Sequence, residues 1–187
     1  MKDFRFEEES HSYFYKDKRV PSVSEILSPL MDKSFMLPEH AERGTYVHKC
    51  VQLMEASVKD WEPRYSELEG YISAYQNYRK VATTKPKAVE EPLFSKKFGF
   101  AGTPDLVFTS PVEICDIKTG TPQAWHALQL MGYAILLGEK LKIDPETINR
   151  FGLYLNREGK YKVAHYENNK VDYLFFLNSL SVWREGR

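Results

Sequence analysis

Two aspartates and a lysine lie in neighbouring β-prone segments, in a pattern that could hold a metal ion. Asp105 lies in GFAGTPDLVF, and Asp116 and Lys118 follow in VEICDIKTG. Residues two apart in a strand share a face, so Asp116 and Lys118 are predicted to point the same way. Because buried carboxylates need a compensating partner, the pair favours a hard cation such as Mg²⁺ or Mn²⁺. A nearby lysine can orient a water or neutralise charge on a phosphate.

The surrounding pattern predicts the elements that must position these residues. The turn residues TSP separate the two acidic segments, which predicts an antiparallel pair of strands with both carboxylates at one end of a sheet. AVEEPLF is a further β-like segment before them, and helical periodicity marks the regions on either side. The whole chain is expected to form one α/β domain. It divides into a hairpin at 1–21, a core at about 22–141, and a closing hairpin and helix at about 149–187.

Composition narrows the class of protein. The 187 residues are 42% hydrophobic, which suits one domain with a sizeable core. Lys and Arg number 26 and Asp and Glu number 26, so the composition does not indicate a globally basic nucleic-acid binder, although it allows a local basic groove. The two cysteines, Cys50 and Cys115, are too few for a disulfide framework or a four-cysteine metal site.

The chain also gives expectations about its compartment. Its start, MKDFRFEEES, lacks the apolar region of a signal peptide. No apolar run approaches the ~20 residues that a membrane-spanning helix needs. A cytoplasmic protein without a membrane partner is therefore expected, in the host cell if the protein is encoded by a phage.

The residues PD and DIK together resemble the PD-(D/E)XK nuclease superfamily. Further motifs extend the resemblance to its RecB-like and phage-type exonuclease branch. In chain order the matching segments are VPSVSEIL, GTYVH, AVEEPLF, GTPDLV, DIKTG and QLMGY. They run from Pro21 to Tyr133, about 60% of the chain. The resemblance implies a restriction-endonuclease-like fold, in which α-helices flank a mixed central β-sheet.

The resemblance also implies roles for individual residues. Asp105, Asp116, His48 and the carbonyl of Ile117 would be ligands of Mg²⁺ or Mn²⁺, and Lys118 would be the catalytic lysine. The four cysteines that mark the iron–sulfur members of this branch are absent from the sequence. The protein is therefore expected to be built without an iron–sulfur cluster.

Three more polar residues would complete the catalytic site. Gln129 and Tyr133, four positions apart on one helix, would face the phosphate. Glu90 would support the metal site or bind a second metal ion. Its neighbour Glu91 is an alternative, and the phase of Glu90 in its strand fits the spacing of the family better.

Most of these residues have a structural alternative. His48 could be an interfacial histidine with protein partners on both nitrogens, and Glu90 could be a solvated strand residue. Gln129 and Tyr133 could be a surface pair. Three tyrosines at helical spacing could suggest a base-stacking platform, but the spacing favours a core role; they are Tyr71, Tyr75 and Tyr78. Two residues, Trp125 and His126, receive no role.

The function implied by the resemblance is metal-dependent hydrolysis of DNA phosphodiester bonds. The resemblance favours an exonuclease that acts on DNA with free ends, in phage-type recombination or genome processing. Possible partners are phage recombination or replication proteins. The alternatives are a structure-specific endonuclease, and a weakly active DNA-binding or partner-binding module with the same fold. A broken set of acidic residues and lysine would indicate the binding module, whereas this sequence has the complete set.

Overall fold

The computed structural model describes residues 3–31, 38–58, 66–167 and 169–186. The strands in these ranges are β1 (Phe4–Glu7), β2 (Ser12–Tyr15), β3 (Lys18–Val20), β4 (Ala88–Val89), β5 (Leu93–Ser95), β6 (Phe100–Gly102), β7 (Leu106–Thr109), β8 (Val112–Lys118), β9 (Asn149–Leu155) and β10 (Tyr161–His165). The α-helices are α1 (Val23–Leu27), α2 (Pro38–Glu55), α3 (Glu69–Val81), α4 (Ala124–Leu141) and α5 (Asn169–Glu185). Among these helices, none combines the length and the apolar character that crossing a membrane requires.

Five strands form the central sheet, in the spatial order β10-β9-β8-β7-β4. Strands β8 and β9 run parallel, and the other neighbouring pairs are antiparallel. Because a parallel pair needs a long crossover connection, the helix α4 lies between β8 and β9 in the chain. The predicted mixed sheet is confirmed, and the two acidic segments pair antiparallel as expected.

Helices cover both faces of this sheet, because the central strands carry apolar side chains in both directions. On one face, Ile114 of β8 packs in a core with residues of α1, α4 and α5. On the other face, Cys115 and Ile117 pack with residues of α2 and α3. Tyr71 and Tyr75 of α3 belong to this second core, with 9% and 0% of their surface exposed. These two tyrosines are therefore core residues, as their helical spacing predicts.

Two segments expected to be single strands are each divided in two. AVEEPLF is interrupted at Glu90, whose φ of +49° lies in the left-handed region and turns the chain. As a result β4 pairs with β7, whereas β5 pairs with β6 in a separate two-stranded sheet. GFAGTPDLVF is divided at Thr103 and Pro104, since proline has no N–H to donate to a ladder.

The predicted N-terminal hairpin is part of a three-stranded sheet in the order β1-β2-β3. Tyr13 of this sheet is buried against Phe94 and Ala101, and this contact attaches it to β5 and β6. Ser22 then caps α1. Its hydroxyl accepts the backbone N–H of Glu25, and the carboxylate of Glu25 accepts the backbone N–H of Ser22. This reciprocal cap fixes where the chain turns from the small sheet into the helical layer.

Candidate functional site

The pairing of β7 with β8 places the two aspartates side by side. Leu106 pairs with Cys115 in this ladder, so Asp105, one residue before β7, lies across from Asp116. The carboxylate of Asp105 accepts a hydrogen bond from the backbone N–H of Ile117, which fixes its orientation. Both aspartates are buried, with 5% and 2% of their surface exposed. Two buried carboxylates repel each other unless a proton or a cation lies between them.

His48 and Glu90 join Asp105 in one half of the site. His48 extends from α2, and its Nδ1 lies 3.1 Å from Asp105 Oδ1 and 3.3 Å from Glu90 Oε1. Its Nε2 lies 3.0 Å from the carbonyl oxygen of Ile117. One ligand atom from each of the three side chains lies within 4.8 Å of the others, which is close enough for one metal ion. Glu90, rather than Asp116, is thus the carboxylate grouped with His48 and Asp105.

Both nitrogens of the His48 ring face hydrogen-bond acceptors. Burial lowers the pKa of His48, but the charges of Asp105 and then Glu90 outweigh this effect and hold the pKa well above its ordinary value. The ring has protein partners on both sides, as its structural alternative requires. Those partners are, however, the same oxygens to which the family resemblance gives a role at the metal site, as ligands for Asp105 and Ile117 and as a supporting or second-metal carboxylate for Glu90. A divalent cation bound to these oxygens would replace the ring proton.

The backbone at Glu90 aims this residue into the site. Its φ of +49° is rare for a residue with a side chain and costs about 1–3 kcal/mol. The N–H of Glu90 donates to the carbonyl oxygen of Asp105 at 2.9 Å, which anchors the turn. Burial raises the pKa of Glu90, against the opposing hydrogen bond from His48. The neighbouring Glu91 points elsewhere and pairs with Lys140 at 2.5 Å.

Lys118 links the strand β8 to the helix α4. Its Nζ lies 2.6 Å from Asp116 Oδ2 and donates a hydrogen bond of 2.8 Å to Gln129 Oε1. Gln129 Nε2 in turn donates to the hydroxyl of Tyr133 at 3.1 Å. The structure therefore brings these four predicted residues into one continuous chain of contacts.

Asp116 keeps an acceptor oxygen that the protein does not fully satisfy. Although Lys118 is within ion-pair distance, no donor among the described residues forms a hydrogen bond of ordinary geometry with Asp116 Oδ2. Burial raises the pKa of Asp116 to about 6, with Lys118 acting in the opposite direction. An unsatisfied buried acceptor costs about 1–3 kcal/mol, which a bound cation would recover. Carboxylates, an imidazole and a carbonyl are a donor set that fits Mg²⁺ or Mn²⁺.

A glycine that the sequence analysis did not single out allows Tyr133 to reach this site. A Cβ atom at Gly102 would lie 2.8 Å from Tyr133 Cε1 and 3.0 Å from Val23 Cγ2. The close approach of α4 to β6 therefore requires glycine at this position. Burial raises the pKa of Tyr133 well above its ordinary value, so its hydroxyl remains a neutral hydrogen-bonding group.

The site opens into a cleft of about 1480 Å³. Its walls include four of the predicted site residues, namely His48, Glu90, Ile117 and Lys118. They also include residues to which the sequence analysis gave no role, namely His11, Arg43, Trp125 and His126.

Tertiary structure brings most of these additional residues to the cleft. His11 comes from the turn between β1 and β2, far from the acidic strands in sequence. Arg43 of α2 donates to the hydroxyl and the carbonyl oxygen of Thr119, at 3.3 and 3.4 Å. Nothing in the local sequence around either residue indicates that it lines the cleft. Trp125 does carry a sequence signal, since it precedes Gln129 by four positions, as Gln129 precedes Tyr133.

Comparison with known proteins gives a fold relationship. No protein-family model matches the chain, and no curated protein matches it significantly. Among solved structures, a candidate exonuclease from Eubacterium rectale matches with a TM-score of 0.53 and 13% identity, over 84% of this chain and 68% of that chain. An alkaline exonuclease from Laribacter hongkongensis matches with a TM-score of 0.49 and 14% identity, over 88% and 84%. At this level of identity the Eubacterium rectale protein shares the fold of this chain.

Proposed function

We propose that this protein is a divalent-metal-dependent exonuclease that hydrolyses DNA phosphodiester bonds. One observation carries the proposal: the group of His48, Glu90 and Asp105 lies beside the ion pair of Asp116 with Lys118, and His48, Glu90 and Lys118 line one cleft. A metal-ligand group beside a half-buried lysine is an arrangement suited to phosphoryl transfer.

The proposed metal ligands are His48, Asp105, Asp116 and the carbonyl oxygen of Ile117, with Glu90 as an additional carboxylate at the same ion or at a second one. A bound Mg²⁺ or Mn²⁺ would supply Lewis-acid stabilisation of charge on a phosphoryl oxygen. The chain holds the ligands in place without the ion. Asp105 is fixed by the N–H of Ile117, and Glu90 is fixed by its turn.

Lys118 is proposed to position the attacking water and to offset charge on the reacting phosphate. Its Nζ is held between Asp116 Oδ2 and Gln129 Oε1, so little freedom is lost when substrate binds. Gln129 is itself oriented by the hydroxyl of Tyr133. Gln129 and Tyr133 therefore act as positioning residues for the lysine in this proposal.

DNA is the proposed substrate, and the cleft offers cationic side chains that could contact its phosphates. The chain has no net charge, so attraction to a phosphate backbone must come from the cleft itself. Three cationic side chains line the cleft, namely Arg43, Lys49 and Lys118, and so do three carboxylates, namely Glu8, Glu42 and Glu90. The attraction would therefore come from individual cations in contact with phosphates, and not from a net positive charge of the cleft. The resemblance to the RecB-like and phage-type branch supports action at free ends, and the segment VPSVSEIL supports a role in phage-type recombination or genome processing.

The requirement for a free end has a direct test. In Mg²⁺ or Mn²⁺, we expect linear DNA to be degraded to short products while covalently closed circles of the same sequence survive. The physical reason is that a domain of this size has little surface with which to select an internal site. The measurement is a time course on closed circles and on the same circles after linearisation, resolved by electrophoresis. Nicking of the closed circles at the rate of linear degradation would favour the endonuclease alternative instead.

A further inference from the structure

Trp125 is an aromatic residue on the cleft wall that the proposed chemistry does not use. Building on the proposed hydrolysis of DNA, we propose that its ring is a platform on which an unpaired nucleobase stacks, next to the phosphate that faces Lys118. The substrate class is thereby narrowed to DNA whose terminal bases are unpaired in the cleft.

The position of Trp125 on α4 ties it to the reacting site. Trp125, Gln129 and Tyr133 are spaced by four positions and form one row along the helix. The inner two members are buried at 6% exposure each, whereas Trp125 is half-buried and faces the cleft. The row therefore continues from the contacts of Lys118 outward to the space that a substrate would occupy.

Lys118 connects this ring to the place proposed for the reacting phosphate. Its Nζ lies over a face of the Trp125 ring, 5.3 Å from the ring centre. A phosphate beside Lys118 would thus carry its nucleoside close to the ring. Among the described residues, no other aromatic ring lies parallel to that of Trp125, and the one ring contact is edge-on.

The edge-on contact holds the ring in place. The ring of His126 lies 4.2 Å from that of Trp125, at an angle of 79°. His126 Nδ1 accepts the N–H of Gln123 at 3.2 Å and lies 2.7 Å from the hydroxyl of Tyr154. Burial, together with the charge of Lys118, lowers the pKa of His126 to about 3, so the ring stays neutral. Because His126 holds the Trp125 ring in this way, the Trp125 ring loses little entropy when a base stacks on it.

Stacking on a protein ring selects for unpaired bases. Within a duplex, both faces of an internal base are covered by its neighbours, so contact with Trp125 needs a terminal base that has left the stack. Every base has a flat aromatic face, and the platform would therefore tolerate any sequence. Sequence tolerance is what a nuclease that degrades DNA from its ends requires.

Trp125 could instead serve only to hold the charge of Lys118, by a cation–π contact. The two roles differ in what happens when the base is removed from the DNA. If Trp125 is a stacking platform, removing the base removes its partner. If Trp125 only holds Lys118, its contact with the lysine stays the same when the base is removed. An abasic nucleotide therefore separates the two roles without any change to the protein.

The experiment measures binding of a single-stranded oligonucleotide of about 12 nucleotides, with an abasic site at each terminal position in turn. Fluorescence anisotropy in Ca²⁺, which takes oxygen ligands, reports affinity whether or not cleavage occurs. We expect W125A to weaken binding of intact DNA by about 5-fold to about 150-fold, and W125F to retain most of the affinity. An abasic site at the stacked position should weaken binding by the natural protein similarly. The same abasic site should not weaken DNA binding by W125A any further, because this variant has already lost the stacking contact.

The matched control is F175A, because Phe175 of α5 is an aromatic residue with 58% exposure that does not line the cleft. F175A is expected to bind intact and abasic DNA as the natural protein does. Two results would overturn the stacking platform. One is that W125A binds intact DNA as tightly as the natural protein does. The other is that, at every position tested, an abasic site lowers the DNA affinity of W125A as much as it lowers that of the natural protein. Binding is measured apart from hydrolysis. If an abasic site weakened binding by the natural protein but not by W125A, and the protein cleaved no DNA, the result would count against the proposed hydrolysis and not against the stacking contact.

Discussion

Replacing Asp116 by alanine is expected to lower DNA cleavage by at least about 10³-fold, because a metal ion contributes several kcal/mol to stabilising a phosphoryl transition state. The change removes a proposed ligand and also takes away the carboxylate that lies 2.6 Å from Lys118. The measurement is the single-turnover rate on end-labelled linear DNA at saturating Mn²⁺. Circular dichroism would show whether the variant is folded.

Two further variants make this result specific. D116N keeps the shape of the side chain and removes its charge, so it should lose nearly as much activity as D116A. E91A is the matched control, because Glu91 lies next to Glu90 in sequence but pairs with Lys140 away from the site. Its rate should stay within about 3-fold of that of the natural protein, because an exposed ion pair contributes little to stability and this one lies outside the cleft. A folded D116A protein that cleaves at the natural rate would remove Asp116 from the proposed site.

Replacing Lys118 by alanine is expected to lower the cleavage rate by at least ~10²-fold while DNA binding is largely kept. The reason is that Lys118 Nζ is fixed between Asp116 and Gln129, where it can act on the reacting groups. The ligands in the His48 half of the site do not depend on it. A gel-shift assay beside the nuclease assay gives the two quantities separately.

Lys140 provides the control for this change, since it also pairs with a carboxylate, at 2.5 Å, but its side chain is 45% exposed and lies outside the cleft. K140A should cleave and bind as the natural protein does. If K118A cleaved normally, Lys118 would be an ordinary lysine and the binding-module alternative would gain support. Loss of binding together with cleavage would instead assign Lys118 to substrate affinity.

Local rules explain how much of the site could be predicted from sequence. The two-residue period of a strand was enough to place Asp116 and Lys118 on one face of β8, with Cys115 on the other. The four-residue spacing on a helix was enough to place Gln129 and Tyr133 together. These relations hold because they depend on the geometry of a single element and its immediate partner.

Other features depend on backbone geometry that the pattern of residue types does not encode. Glu90 and Glu91 are chemically identical neighbours, and the left-handed turn at Glu90 decides which one faces His48. The same turn divides the expected strand into β4 and β5. The contributions of His11 and Arg43 arise because distant elements meet at the cleft, so no local period could predict them.

The most direct measurement is the fate of end-labelled linear DNA incubated with the purified protein in Mn²⁺, in Mg²⁺ and in excess EDTA. The arrangement of His48, Asp105, Glu90 and Asp116 predicts progressive shortening of the DNA in at least one metal and none in EDTA. Adding Mn²⁺ in excess of the chelator should restore the activity. Cleavage that persists in EDTA, or a folded protein that degrades no DNA in either metal, would contradict a metal-dependent nuclease.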